Sequence, residues 1–159
     1  MKKFKRKNII IKAGVDALMP FALTFGLYII LFGTVSPGGG FQGGVIVACA
    51  ILMIYLGYGY KTLSKVINGN VLRIGEAIGA VIYVLLGFTG IFYGYNFCRN
   101  VFFNNGNVGD MISAGTITFM SWSVGLKVMM GVSFLLFILL GTLSRTDDEE
   151  GYVSEEDDK

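Results

Sequence analysis

Three long stretches of this chain carry no charged side chain: residues 17–60, 77–98 and 128–144. A hydrocarbon layer is about 30 Å thick and is crossed by a helix of roughly 20 apolar residues. Backbone polar groups at that depth must pair within the protein. The pattern therefore predicts an all-α integral membrane protein with four transmembrane helices, over about 19–33, 41–60, 72–95 and 116–143. The first stretch holds two of these spans, split by the run TVSPGGGFQGGV at 34–45. Pro20 falls near the start of the first span, where its missing N–H matters little, or inside a longer helix, which it would kink. Tyr58, Tyr60, Tyr93 and Tyr95 fall at span ends, as an aromatic belt requires.

Composition agrees, with 53% hydrophobic and 15% charged residues against about 25% charged in a soluble domain. Four spans put both termini on one face. With that face cytoplasmic, eleven of the thirteen basic residues lie inside, as the positive-inside rule asks. The exceptions are Arg99, in an outer loop, and Lys127, within the fourth span. The chain divides into a basic cytoplasmic N-terminus (1–12), a transmembrane domain (13–144) and an acidic cytoplasmic tail (145–159). The tail's eight acidic residues predict a solvated, disordered segment; a docking site for a basic partner is the alternative. The segment 99–109 reads as a loop, with Val101, Phe102 and Phe103 resting on the membrane or on a partner. The basic start reports topology and anionic lipid, and nucleic-acid binding has no support. The chain has no His, which excludes His-ligated metal sites and Ser–His triads. Cys49 and Cys98 stand apart and cannot hold a cluster. Neither a metal nor a cofactor is expected.

Within the glycine run, Gly38-Gly39-Gly40-Phe41-Gln42-Gly43 satisfies G-x-G-x-x-G. A dinucleotide site also needs an acidic residue about 20 positions later, yet none occurs between Asp16 and Glu76. A phosphate-binding loop needs Gly-Lys-Ser/Thr, but the run ends Gly43-Gly44-Val45. What remains is a turn at the outer membrane face. Pro37 ends the first span, the next three glycines fold back through φ > 0, and Gly40, Gly43 and Gly44 let a neighbouring helix come close. Gly39→Leu is expected to clash in this turn. An exposed flexible loop is the plainer alternative. Gly75, Gly79, Gly87, Gly90 and Gly94 recur through the third span and suggest more close helix contacts than four spans can satisfy among themselves.

An ionisable group at membrane depth is a functional candidate, because burial without a partner is costly. Lys127 follows sixteen uncharged residues and precedes seventeen. It reads as a cation facing a polar cavity or a partner's acid, or as a lysine snorkelling to the interface. Glu76 reads as a helix-start acid or as a carboxylate at the inner mouth of an ion path. Asp16 lies four residues after Lys12, a spacing that allows a helical pair. Asp110 belongs to the outer loop. This placement sets Asp16 and Glu76 near the inner face and Lys127 on the outer side, which argues for an accessory subunit rather than a lone transporter.

The stretch SPGGGFQGG, spanning Pro37, Gly38, Gly39, Gly40, Phe41, Gln42, Gly43 and Gly44, resembles the signature loop of the B-type (MnhB) subunit of Mrp multisubunit Na+/H+ antiporters. The same subunit type occurs in membrane-bound hydrogenases and related sulfur-reducing complexes. SAGTI at 113–117 and GLKV at 125–128 resemble that family's last span. Gln42 matches the hydrogenase-type members, whereas antiporter-type members often carry a His before the Pro. Met120-Ser121-Trp122-Ser123 departs from the aliphatic sequence expected there. The resemblance implies a non-enzymatic subunit in the plasma membrane of a prokaryote. Its implied partners are other Mrp-type subunits, with hydrogenase or iron–sulfur chains in a redox-driven complex. A stand-alone antiporter subunit, a homo-oligomeric channel and a membrane-embedded enzyme are the competing readings.

Overall fold

In the computed structural model the backbone is described over residues 2–101, 107 and 109–156, with side chains over 9–101, 107 and 109–144. Five helices follow in order: α1 (Lys2–Leu31), α2 (Gly40–Tyr58), α3 (Tyr60–Val66), α4 (Gly69–Phe92) and α5 (Thr116–Glu156). No strand occurs among the described residues. Four helices contain segments long and apolar enough to cross a membrane: Ile9–Leu31, Gly40–Tyr58, Gly69–Phe92 and Thr116–Ser144.

α1 already runs helical from Lys2, ahead of the span expected from about residue 19. Pro20 accordingly lies inside α1 rather than near a helix start, where its ring removes the bond that would reach the Asp16 carbonyl. One turn on, the Thr24 hydroxyl donates to the Pro20 carbonyl at 2.8 Å. α3 was not foreseen. It holds Lys61 and Lys65, expected in a loop, and Arg73 lies within α4. Gly59 makes the corner between α2 and α3 at φ 79°, which a side-chain-bearing residue resists. Leu63 of α3 is fully buried, and Tyr60 packs its ring on Phe137 of α5 at 5.6 Å. Side chains beyond Ser144, the expected acidic tail among them, lie outside the described residues, as do Phe102 and Phe103.

The helices stand in a row, α1–α2–α5–α4. α1 packs on α2, α2 on α5, and α5 on α4, while among the described residues α4 has no helix on its other side. Val47, Ala48 and Ala50 of α2 are buried at the middle of the row. By contrast α4 leaves Val71, Ile74, Ile78, Val81, Leu85 and Phe92 exposed, the apolar surface a helix presents to lipid or to another subunit.

After α4 the chain turns back at Gly94 (φ 78°) and returns along its own helix. The Cys98 N–H donates to the Gly87 carbonyl at 3.0 Å, and Tyr95 N–H to Gly90 O at 2.9 Å. A Cβ at Gly90 would meet the Asn96 carbonyl at 2.4 Å. Asn100 then ties this return to the start of α5: its Oδ1 accepts from Thr116 N–H at 2.9 Å, and its Nδ2 donates to the Ala114 carbonyl at 2.9 Å. Gly115 between them sits at φ 65°, so the glycine of SAGTI serves a left-handed turn.

Candidate functional site

The signature loop is built by close backbone approach. Among the described residues, the glycines with φ > 0 are Gly59, Gly94, Gly109 and Gly115. Gly38, Gly39 and Gly40 are not among them, and Gly39 is extended at φ −114°, ψ 179°. The expected left-handed turn is therefore absent, and the glycines are there for space. A Cβ at Gly40 would lie 1.9 Å from the Ser121 carbonyl oxygen. One at Gly43 would meet Gly26 O at 2.7 Å, and one at Gly44 would meet Gly125 O at 2.9 Å. The start of α2 is thus wedged between α1 and α5, and the motif's effect lives on packing. At Gly39 a Cβ would meet only Gln42 Oε1, at 3.4 Å, so the tightest position of the run is Gly40.

Hydrogen bonds lock the same junction. Gln42 Oε1 accepts from the Gly39 N–H and caps α2. The Gly40 N–H donates to Ser121 Oγ at 3.1 Å, satisfying a donor that a helix start leaves open. Trp122 Nε1 donates to the Leu31 carbonyl at 2.9 Å, at the end of α1, where acceptors are left open. Ser121 and Trp122 belong to the stretch that departs from the expected aliphatic sequence. Sequence reasoning marks them as a departure and misses their role. The available signal is a pair of hydrogen-bonding side chains in an otherwise apolar span.

The ionisable candidates fall into two places. At the far end of α2 from the glycine loop, the Tyr58 hydroxyl donates to Asp16 Oδ1 at 2.5 Å, and Lys12 Nζ lies 5.4 Å from the Tyr58 ring centre. Lys12 and Asp16 thus meet through Tyr58, in place of the expected helical ion pair. Asp110 accepts from the Asn107 N–H at 2.9 Å in an exposed turn.

Glu76 and Lys127 share one groove between α4 and α5, of about 720 Å³, with Gly79, Ala80, Tyr83, Ser123 and Gly131 on its walls. This corrects the expectation that they sit toward opposite faces. A Cβ at Gly79 would lie 2.9 Å from Lys127 N, and one at Gly131 would lie 3.2 Å from Glu76 Cδ. Lys127 therefore faces Gly79, three residues after Glu76, and Glu76 faces Gly131, four residues after Lys127. The two sites are about one helical turn, roughly 5 Å, apart along the axes. α4 begins at Gly69 and is capped by Asn68, whose side chain accepts from Asn70 N–H at 3.0 Å. Glu76 stands two turns inside it, so the helix-start reading fails. No ion pair joins Glu76 to Lys127 among the described residues. Glu76 is half-buried and Lys127 exposed on the open side of the groove.

No group of His, Cys, Asp and Glu suited to a metal occurs among the described residues. The site is instead one acid and one base, unpaired, one turn apart, on helices made to cross a bilayer.

These features define an all-helical, multi-pass membrane protein in which Glu76 and Lys127 sit beside a seam between two spans. Residues 10–134 match the family model described as a domain related to the MnhB subunit of Na+/H+ antiporter, and the chain belongs to that family. It is 34% identical over 130 residues to an uncharacterized protein of Methanocaldococcus jannaschii, covering 74% of this chain and 46% of that one. It is 31% identical over 94 residues to the B-type subunit of the Na(+)/H(+) antiporter of Alkalihalophilus pseudofirmus, covering 59% of this chain and 65% of the relative. A chain in the structure of the membrane-bound sulfane sulfur reductase, an archaeal respiratory membrane complex, superposes with a TM-score of 0.67 at 28% identity, over 82% of this chain and 57% of that one. The chain thus spans about half to two thirds of the length of these relatives.

Proposed function

We propose that this chain is a non-catalytic subunit of an Mrp-type ion-translocating module in a prokaryotic plasma membrane, with both termini cytoplasmic. It helps to assemble the module and to couple Na+/H+ translocation to electron transfer carried by other chains. The observation that carries this reading is the α4–α5 groove. It presents Glu76 and Lys127 unpaired to the open side of the row, where a charged group needs a partner. A self-contained channel needs polar positions at several depths, whereas this arrangement is completed by a neighbour. Gln42 and the likeness to a chain of a respiratory membrane complex support the redox-driven assembly. The relative named as a Na(+)/H(+) antiporter subunit supports a second reading, a subunit of a stand-alone antiporter. Asp16, with Tyr58 and Lys12, belongs to the far end of the same ion-coupled unit.

The test is to tag the chain in its host, extract membranes in mild detergent and identify what co-purifies. Antiporter-like chains together with hydrogenase or iron–sulfur chains are expected. Antiporter-like chains alone would shift the assignment to the exchanger. A chain recovered alone as a stable homo-oligomer would overturn both.

A further inference from the structure

We infer that the groove between α4 and α5 seats a transmembrane helix of a partner subunit, and that this helix carries an aspartate or glutamate at the depth of Lys127. The inference rests on the complex-subunit reading above and names what completes the site.

Depth is the first argument. Lys127 faces Gly79, and Gly79 lies within two residues of the midpoint of α4 (Gly69–Phe92). Centred on a hydrocarbon layer about 30 Å thick, that position lies roughly 15 Å from either interface. A lysine side chain can snorkel only over its own short stem, so this one does not reach headgroups. It must be compensated at its own level. Among the described residues of the groove, Glu76 is the only acid; it stands one turn away against Gly131, with no ion pair to Lys127.

The shape is the second argument. The groove holds about 720 Å³, and its walls include Gly79, Ala80, Ser123 and Gly131. Gly79 and Gly131 are filled by the α4–α5 contact itself, and the open wall beside Lys127 is made by exposed Tyr83, Val84 and Leu135. α4 has no other helix against it among the described residues, so the approach is open.

The other occupants fit less well. A lipid brings acyl chains to this depth and leaves its phosphate at the surface. A second copy related by an axis normal to the membrane brings Lys127 toward Lys127 at the same depth, setting like charges together. A partner helix with an acid supplies the missing charge and covers the exposed Tyr83, Val84 and Leu135 that line the groove.

The test uses the assembled complex from native membranes. A photo-crosslinking phenylalanine analogue replaces Tyr83 in the groove. A second version replaces Phe21, 75% exposed on α1 at the opposite edge of the row. The Tyr83 probe should join a transmembrane segment of another chain, with an Asp or Glu within about one helical turn of the attached residue. Lys127→Glu should reduce recovery of that chain with the tagged subunit about tenfold or more, and a Lys in place of the partner's acid should restore it. Lys127→Met preserves the chain's own packing and should also lose the partner, by leaving the acid unpaired. An intact complex in which the Tyr83 probe reaches only lipid, a second copy or a helix without an acid overturns the inference and leaves the subunit reading standing. If nothing co-purifies and both probes reach only lipid, the subunit reading fails, and the inference with it.

Discussion

The sharpest consequence of the glycine junction is that Gly40 and Gly39, adjacent in the same motif, respond very differently to one methyl group. In Gly40→Ala the new Cβ falls 1.9 Å from the Ser121 carbonyl oxygen and 2.9 Å from Gly125 N. Both neighbours are α5 backbone, so no rotamer relieves the clash. Cβ contacts shorter than 3.0 Å are essentially never seen, and α2 and α5 must separate by about 1.1 Å. Overpacking of this kind costs about 1–3 kcal/mol. The separation also stretches the 3.1 Å bond from Gly40 N–H to Ser121 Oγ, worth about 1 kcal/mol. The expected loss is about 3 kcal/mol, or a hundredfold in the folding equilibrium. Gly39→Ala meets only Gln42 Oε1, at 3.4 Å, from a backbone that any residue adopts. Its cost should stay below about 1 kcal/mol, as for Ala at an N-cap. Both variants would be unfolded by SDS titration in mixed micelles, followed by the fluorescence of the single Trp. Equal midpoints for the two would refute the close-approach account of the motif.

Two smaller effects belong to the same set. Ser121→Ala removes the acceptor for the Gly40 N–H without a steric change and should lower stability by about 1 kcal/mol, read in the same titration. Tyr58→Phe keeps the ring beneath Lys12 and deletes the hydroxyl that donates to Asp16; because Asp16 is exposed, the midpoint should move less than for Ser121→Ala, and amide exchange should quicken at that end of α2 while the glycine-loop end is unchanged.

Much of this fold is legible in the sequence, because charge-free runs and the length of a bilayer-crossing helix are local properties. The spans of α2 and α5 come out within a few residues. The start of α1 does not, because Lys12, Asp16 and Pro20 all argue for a later beginning. Lys12 and Asp16 are accommodated by Tyr58, a partner 42 residues or more away in sequence. α3 is hidden because seven residues with two lysines look like a loop until Leu63 is seen buried. The glycine motif could be recognised, but its mechanism could not. Whether a glycine serves φ or space depends on what stands opposite, and Gly40 meets Ser121, 81 positions later. The α4 glycines show the same limit. Gly75 and Gly79 pack on Met130 and Lys127, and Gly87 and Gly90 on the chain's own return. They therefore do not require the extra subunits they suggested. The register of α4 against α5, which brings Glu76 and Lys127 into one groove, has no local signature at all.

The two kinds of seam in the row differ in what they allow. Where α2 meets α1 and α5, Gly40, Gly43 and Gly44 are each stopped by backbone atoms of a neighbouring helix. Backbone pressed on backbone has no soft coordinate, since only rigid displacement of a helix changes it. On the α4–α5 seam, Gly75 rests on the Met130 side chain, Gly131 on the Glu76 carboxyl and Gly69 on the Phe137 ring. Side chains can change rotamer, and Met is the most adaptable of the apolar ones. Only Gly79 against Lys127 repeats the rigid contact there. A pivot of α4 about the level of Lys127 would therefore meet less resistance than one of α1 or α2 about the glycine loop. Glu76 stands one turn from that pivot, against Gly131. A small rotation of α4 changes the surroundings of its carboxyl while Lys127 holds its level.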